Sequence, residues 1–369
     1  MKLGVCMIVK NEERVIERSL RSALKFMDTW VIVDTGSTDS TMDIIRRVAK
    51  ELGKPGILEQ RPWVNFGHNR SEALALASGY MDWIWMLDAD DTIEGDTSRI
   101  VLHSEQTGYN VPIHHGDMRQ KRVHVFNSSY TWRYVGAVHE YADCTDGPYP
   151  MECLPDTIWI QARTEGSRSS DPLKYAKDAE MLEEELKKGA DPGRNLFYLA
   201  QSYRDANNTE KAIEIYKRRV KRGGWIEETY MSYVNLLKLV STYEEKLTYA
   251  CAAQDCLPDR REAIYELMLW CRKNSHCHHQ VVTLLGQAYK DVPMNPGRLF
   301  VDTNAYNWRY DDELGVLAYY SKQYTIGVAA CERALLTCEE GNKKRIETNR
   351  LFSFNELIKM NPAKTEETS

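Results

Sequence analysis

Trp83-Ile84-Trp85-Met86-Leu87-Asp88-Ala89-Asp90-Asp91 is the stretch that decides the fold. Its first five residues form an apolar run rich in aromatic and branched side chains, which reads as a short strand buried on both faces. Three carboxylates close it, with one alanine between the first two. Upstream, short apolar runs alternate with helical patterns. Leu3–Val9 is a strand candidate, and Glu12–Lys25 follows with Val15, Ile16, Leu20 and Leu24 near helical spacing. Trp30–Val33 is a second strand, closed by Asp34-Thr35-Gly36-Ser37. Ser40–Leu52 reads as a helix, with Ser37, Thr38 or Asp39 as its cap and Gly53 just past its end. Ile57–Leu58 is a short third strand and His68–Ser78 an Ala-rich helix. That alternation predicts an α/β domain with a mostly parallel sheet wrapped by helices.

Beyond Asp91 the pattern changes. Lys121–Phe126, Tyr134–Val138 and Thr157–Ile160 are further strand candidates. Residues 161–171 are small and polar and read as a linker, after which Asp171-Pro172 starts a helix. From there to about residue 360 the chain reads as nearly all helical. Leu199-Ala200, Tyr203, Ala212 and Tyr216 stand at the small and aromatic positions of a tetratricopeptide helix pair. Leu314-Gly315, Tyr319, Tyr324 and Ala334 echo them loosely, while 229–257 and 261–291 match poorly. The expected organisation is therefore residues 1–165 for the α/β domain and 166–369 for an irregular helical repeat array.

Composition narrows the function. The 369 residues carry a formal net charge of −6. Residues 1–165 hold 18 basic and 24 acidic side chains, and the remainder 30 of each, so the whole excess lies in the first part. An acidic chain is poorly suited to gripping nucleic acid through its phosphates. No stretch approaches the roughly 18–20 apolar residues that a membrane span needs. Met1–Val9 meets charge too early to be a signal peptide. Nine cysteines without framework spacing suggest reduced thiols and a cytoplasmic setting.

In an open α/β sheet, ligands bind beyond the carboxyl ends of the strands. Asp88, Asp90 and Asp91 sit at such an end and would repel one another without a cation between them. Mg²⁺ or Mn²⁺ is typically held by one or two carboxylates, with phosphate oxygens completing the shell. Read blandly, the segment is a solvated acidic turn. Asp34 follows another strand and opens onto the same crevice. It suits hydrogen bonding to a base or ribose, and equally the entry turn of the next helix.

Five segments in order make a resemblance specific. They are Val9-Lys10-Asn11-Glu12-Glu13, Val33 to Thr41, Trp63 to Arg70, Leu87 to Asp91, and Trp132 to Glu140. Together they resemble the GT-A domain of family 2 glycosyltransferases, in the subgroup related to lipopolysaccharide-core glucosyltransferases and to transferases carrying tetratricopeptide repeats. The resemblance implies a nucleotide pocket lined by Val9, Asn11, Glu12 and Asp34, with Arg70, Asp88 and Ala89 near the base or diphosphate. It implies a metal site of Asp88, Asp90 and His139, and Glu140 as general base, although His139 and Glu140 could exchange roles. A salt bridge from Glu140 to a residue such as Arg133 is the structural alternative. The implied activity is inverting transfer from a nucleoside diphosphate sugar, with UDP-hexose as donor and Mn²⁺ or Mg²⁺ as cofactor. The acceptor would be a hydroxyl on a protein, peptide or glycan, presented by the helical repeats.

Two other readings compete. A nucleotidyltransferase of similar fold needs a Gly-rich basic loop after the first strand, where this chain has Val9 to Glu13. An inert scaffold would not need Asp88, Asp90 and Glu140. The aromatic stretch Asn304–Tyr310 could reach back to the active site as an acceptor wall, or equally dock the two domains together. Cys271, His276, Cys277, His278 and His279 are metal-capable but lack the spacing of a structural zinc site.

Overall fold

The computed structural model describes residues 1–116, 118–147, 151–189, 191–274 and 278–360. Its first seven elements alternate as the periodicity predicts. They are β1 (Leu3–Val9), α1 (Ile16–Leu24), β2 (Thr29–Asp34), α2 (Thr41–Glu51), β3 (Gly56–Gln60), α3 (Phe66–Ser78) and β4 (Trp83–Met86). The four strands lie parallel in the order β3-β2-β1-β4. Strand alternation explains how the helices divide between the two faces. Val5, Met7, Trp30, Ile32, Trp83 and Trp85 point to one face, where Ile16, Leu20 and Ala23 of α1 and Ile45 and Val48 of α2 meet them. Cys6, Val31, Val33, Ile84 and Met86 point to the other, against Ala73, Leu74 and Ala77 of α3. The helix expected from Glu12 begins four residues later. Asn11 is left-handed (φ 57°), and the Glu12 carbonyl accepts from the amides of Val15 and Ile16, so residues 10–15 form a loop at the strand end.

The remaining strands are β5 (Thr92–Gly95), β6 (Gly108–His115), β7 (Met118–Asn127), β8 (Trp132–Val135), β9 (Tyr141–Cys144), β10 (Glu152–Cys153) and β11 (Ile158–Gln161). They extend the sheet as β4-β7-β6-β11-β5, with β10 beside β6. The pairs β4–β7, β6–β7 and β5–β11 are antiparallel, so the whole sheet is mixed, and only its first four strands are uniformly parallel. β8 and β9 form a separate hairpin. The strand expected over Tyr134–Val138 lies two residues earlier, because Gly136 (φ 108°) and His139 (φ 54°) turn the chain there.

The chain divides into Met1–Ala190 and Asp191–Ser369. This boundary lies 25 residues beyond the expected 165/166 division. The polar stretch 161–171 is not a free linker: the amides of Glu165, Gly166 and Ser167 bond to Asp90 and Glu12. The helix that follows, α4 (Lys174–Lys187), belongs to the first unit, where Arg168 pairs with the buried Asp178.

The second unit contains α5 (Pro192–Asp205), α6 (Thr209–Arg222), α7 (Ile226–Leu239), α8 (Tyr243–Cys256), α9 (Glu262–Lys273), α10 (His279–Tyr289), α11 (Trp308–Tyr320), α12 (Tyr324–Thr337) and α13 (Glu340–Met360). Leu199, Ala200, Tyr203, Ala212 and Tyr216 are all buried, as a tetratricopeptide-like pair requires. The poorly matching stretches are helix pairs too. They bury charges as well as small residues such as Ala250, Ala253 and Ala263. Arg260 is fully buried against Glu227 (2.8 Å) and Glu262 (2.7 Å), with its guanidinium over the Tyr230 ring. Asn304–Tyr310 docks helices within this unit: the Tyr306 hydroxyl donates to Glu262 (2.8 Å) and the Tyr310 hydroxyl to the Gly286 carbonyl (2.9 Å). Cys271 is buried, while His276 and Cys277 lie outside the described residues.

One glycine fixes the hairpin on α3. A Cβ on Gly67 would lie 2.2 Å from the Gly136 carbonyl oxygen, so only glycine lets the hairpin turn approach the helix. Gly67→Ala should destabilise the first unit by about 1–3 kcal/mol, the usual cost of overpacking. Denaturant unfolding checks this, and an unchanged midpoint would contradict the contact.

Candidate active site

The carboxyl ends of β1, β2 and β3 stand level, with Val9 paired to Asp34 and Asp34 to Gln60. Asp34 is fully buried. Its Oδ1 accepts from the amides of Gly36 and Ser37 (both 3.0 Å) and from Gln60 Nε2 (3.3 Å). Asp34 therefore shapes the turn into α2, with Gly36 left-handed (φ 103°). The Val9 carbonyl accepts from the Thr35 amide (2.9 Å). The Asn11 amide donates to Ser37 Oγ (2.9 Å), and its Oδ1 accepts from the Thr38 amide (2.7 Å). The Glu12 amide donates to Thr41 Oγ1 (2.8 Å). Val9, Asn11, Glu12 and Asp34 thus form one braced rim at the strand ends.

Arg70 is the centre of the site. It sits in α3, whose first turn is capped by Asn65 Oδ1 accepting from the His68 amide. Arg70 Nη2 donates to Asp88 Oδ1 at 2.5 Å. Its Nε lies 2.7 Å from Glu140 Oε1, off the N–H axis, so this contact is an ion pair without an aligned hydrogen bond. The Tyr134 ring flanks the guanidinium at 5.5 Å. The side chains of Arg70 and Glu140 are only 11% and 12% exposed, whereas Asp88 is 47% exposed. Asp88 therefore offers an open face to a ligand. Arg133 is not the partner of Glu140: it pairs across the hairpin with Asp143 (2.9 Å), its neighbour in register.

Four carboxylates crowd the end of β4 and the loop after β1. Burial opposes the charge on Asp88, but the Arg70 guanidinium outweighs it and holds the carboxyl below its usual range. Burial and the Asp88 charge raise Asp90. Asp91 is pushed up to about 8 by burial and then by Asp88. Glu12 is pushed up to about 7 by burial, against the pull of the Ser167 amide, with Asp90, Asp39 and Asp88 adding to the rise. Asp90 Oδ2 accepts from the amides of Glu165 (3.1 Å) and Gly166 (2.9 Å), and Asp91 Oδ1 from that of Arg163 (2.9 Å). Ala89 is buried between the two aspartates.

Such mutual repulsion is what a divalent cation relieves. Among the described residues, however, no three His, Cys, Asp or Glu side chains gather into a group that could hold a metal alone. The expected trio of Asp88, Asp90 and His139 is therefore not a preformed three-ligand site. His139 is exposed at the left-handed turn before β9. The donor set fits a cation that arrives with phosphate oxygens of its own.

Sequence reasoning missed several parts. Gln60 escaped because the third strand reads as ending at Leu58. Half-buried His124, with Nδ1 2.9 Å from the Met86 carbonyl oxygen, looks like an ordinary alternating residue of its strand. The segment 163–168 was hidden by its linker-like composition.

Residues 4–136 match the sequence profile described as Glycosyl transferase family 2. The matched residues all lie within the first unit. A TPR repeat-containing protein of Synechococcus elongatus is 37% identical over 93 residues, 25% of this chain and 21% of that protein. An uncharacterized glycosyltransferase of Rickettsia typhi is 34% identical over 92 residues, 25% of this chain and 29% of that protein. The matched region thus spans less than a third of either relative. Among solved structures, S. aureus TarS 1–349 in complex with UDP-GlcNAc aligns at 16% identity and a TM-score of 0.32, over 70% of this chain and 90% of that one. Mannosyltransferase PcManGT from Pyrobaculum calidifontis, with GDP-Man and Mn²⁺, aligns at 14% identity and a TM-score of 0.34, over 90% and 87%. Among the described residues, no helix is long and apolar enough to cross a membrane.

Among the described residues, the crevice supplies too few ligands to hold a cation tightly by itself. Mn²⁺ alone should shift the melting temperature little, and Mn²⁺ with UDP more than the sum of each alone. A large shift from Mn²⁺ alone would point to a complete protein-held metal site instead.

Proposed function

We propose that the first unit transfers a hexosyl group from a UDP-sugar to an acceptor hydroxyl, with inversion at the anomeric carbon. The observation that carries this reading is Arg70, which draws Asp88 and Glu140 to one point at the crevice of a family 2 domain. Transfer requires a stabilised diphosphate leaving group and a base for the incoming hydroxyl. Asp88 and Asp90 supply the first through carboxylate oxygens offered to Mn²⁺ or Mg²⁺, and Glu140 supplies the second. The cation, when bound, acts as a Lewis acid on the departing diphosphate.

Each residue then has a defined task. Val9, Asn11, Glu12 and Asp34 form the wall for the nucleoside, and Ala89 keeps the backbone between the aspartates close to the diphosphate. Glu140 takes the proton of the acceptor hydroxyl. Its low exposure keeps competing water away, and Arg70 fixes its orientation. His139 stands beside Glu140 at the turn, where it can contact the diphosphate. The helical repeats present the acceptor, a protein, peptide or glycan, because stacked helix pairs create extended binding surfaces.

Glu140→Gln should lower the transfer rate about 10²–10⁴-fold, the range for removing a general base. Its affinity for UDP with Mn²⁺ should stay near that of the unmodified chain. Near-normal turnover in this variant would sink the base assignment. The anomeric configuration of the product, read by NMR, should be opposite to that of the donor.

A further inference from the structure

The segment 163–168 runs across the crevice instead of leading away from it. Starting from Asp91, it passes Asp90, then the loop after β1, and ends against the start of α3. The Arg163 amide bonds to Asp91, and those of Glu165 and Gly166 bond to Asp90 Oδ2. The Ser167 amide lies 3.2 and 3.1 Å from the two carboxylate oxygens of Glu12, and its hydroxyl donates to the Lys10 carbonyl (3.1 Å). The Arg168 guanidinium stacks over the Phe66 ring at 4.2 Å. On the far side Arg18 ties it down, reaching both Glu165 (2.5 Å) and the Asp90 carbonyl (3.1 Å). β1 and β4 are adjacent parallel strands, so a segment joining the loops at their carboxyl ends crosses the mouth between them.

We propose that residues 163–168 are a strap that closes the donor crevice and is latched by Glu12 and Asp90, two carboxylates that the loaded site needs. The inference rests on the donor-site reading above. While the strap is in place, both backbone amides engage Asp90 Oδ2, and the carboxylate can offer a cation only Oδ1. A divalent cation that arrives with a nucleoside diphosphate and takes both oxygens of Asp90 therefore unlatches the strap. The latch lowers the apparent affinity for donor, because only the unlatched fraction of molecules is competent to bind. It also gives Glu12 a second role, as the catch for Ser167.

Gly166 makes the latch testable. It is buried, and a Cβ there would lie 3.2 Å from Asp90 Oδ2 and 3.4 Å from Glu12 Oε1. Its backbone (φ −64°, ψ 159°) suits alanine, so Gly166→Ala should push the strap off its carboxylates without strain at residue 166. Ser167→Pro is the complementary variant. It deletes the Ser167 amide donor at the first position of a short 3₁₀ turn, where proline is tolerated and the conformation of Gly166 already suits it.

The experiment is hydrogen exchange and calorimetric binding on the full chain, using UDP and Mn²⁺ together as the probe. In the unmodified chain, peptides covering 163–168 should exchange faster once the probe is bound. Both variants should exchange faster at 163–168 without probe. They should also bind the probe about tenfold more tightly, the equivalent of one charge-assisted bond no longer broken on binding. The strap is overturned if bound probe leaves those peptides unchanged or more protected. It is equally overturned if the variants bind the probe no more tightly than the unmodified chain. If the unmodified chain binds neither UDP nor GDP with Mn²⁺, the donor-site reading falls and takes the strap with it. Normal probe binding with unaltered exchange removes the strap alone.

Discussion

A guanidinium taken out of water must be paired, and the pairing of Arg70 organises the site. Asp88 comes from the end of β4 and Glu140 from the turn between β8 and β9. Neither element pairs with the other, and α3 is the body both rest on. Arg70 projects from α3 between them, while Gly67, one turn earlier, lets the hairpin come close enough. Leaving Glu140 without Arg70 would strand a charge in a poorly hydrated place, since its side chain is little exposed.

The carboxylates beyond Arg70 are deliberately short of positive charge. Asp88 is neutralised in part by Arg70, but Asp90, Asp91 and Glu12 are each raised by burial and by the Asp88 charge. Backbone amides of residues 163–167 offset some of this. They carry partial charges only, so the pocket retains a demand for a cation. Part of the negative excess of the first 165 residues thereby has a location and, on the function proposed above, a chemical use. The helical unit manages charge in the opposite way: Arg260 is buried with Glu227 and Glu262 and leaves nothing for a ligand.

Much of the first domain was legible because its signals are local. Short apolar runs and helically spaced apolar residues placed β1, β2, α2, α3 and β4 within a residue or two, since strands buried on both faces and helices buried on one are marked by their own residues. Asp34, Asp88, Asp90 and Glu140 stood out as carboxylates at strand ends or within a matching motif. What the sequence could not supply was pairing at long range. Nothing near Glu140 says that its counter-ion is Arg70 and not Arg133, seven residues away. Small polar residues at 161–171 have the composition of a linker, because the hydrogen bonds that tie them down use backbone amides, which composition does not report. The buried Arg260 and Arg261, in the turn before α9, were similarly hidden, since an Arg beside a Glu at a helix start reads as surface until its burial is known.

The central claim is that Asp88, held by Arg70, makes this crevice a donor site. The most direct measurement is release of nucleoside diphosphate from a panel of nucleotide sugars with Mn²⁺, comparing the unmodified chain with Asp88→Asn. The account predicts that at least one UDP-sugar is turned over in a Mn²⁺-dependent way and that Asp88→Asn abolishes the release. Release that is unchanged in Asp88→Asn, or a chain that turns over none of the panel, would contradict it.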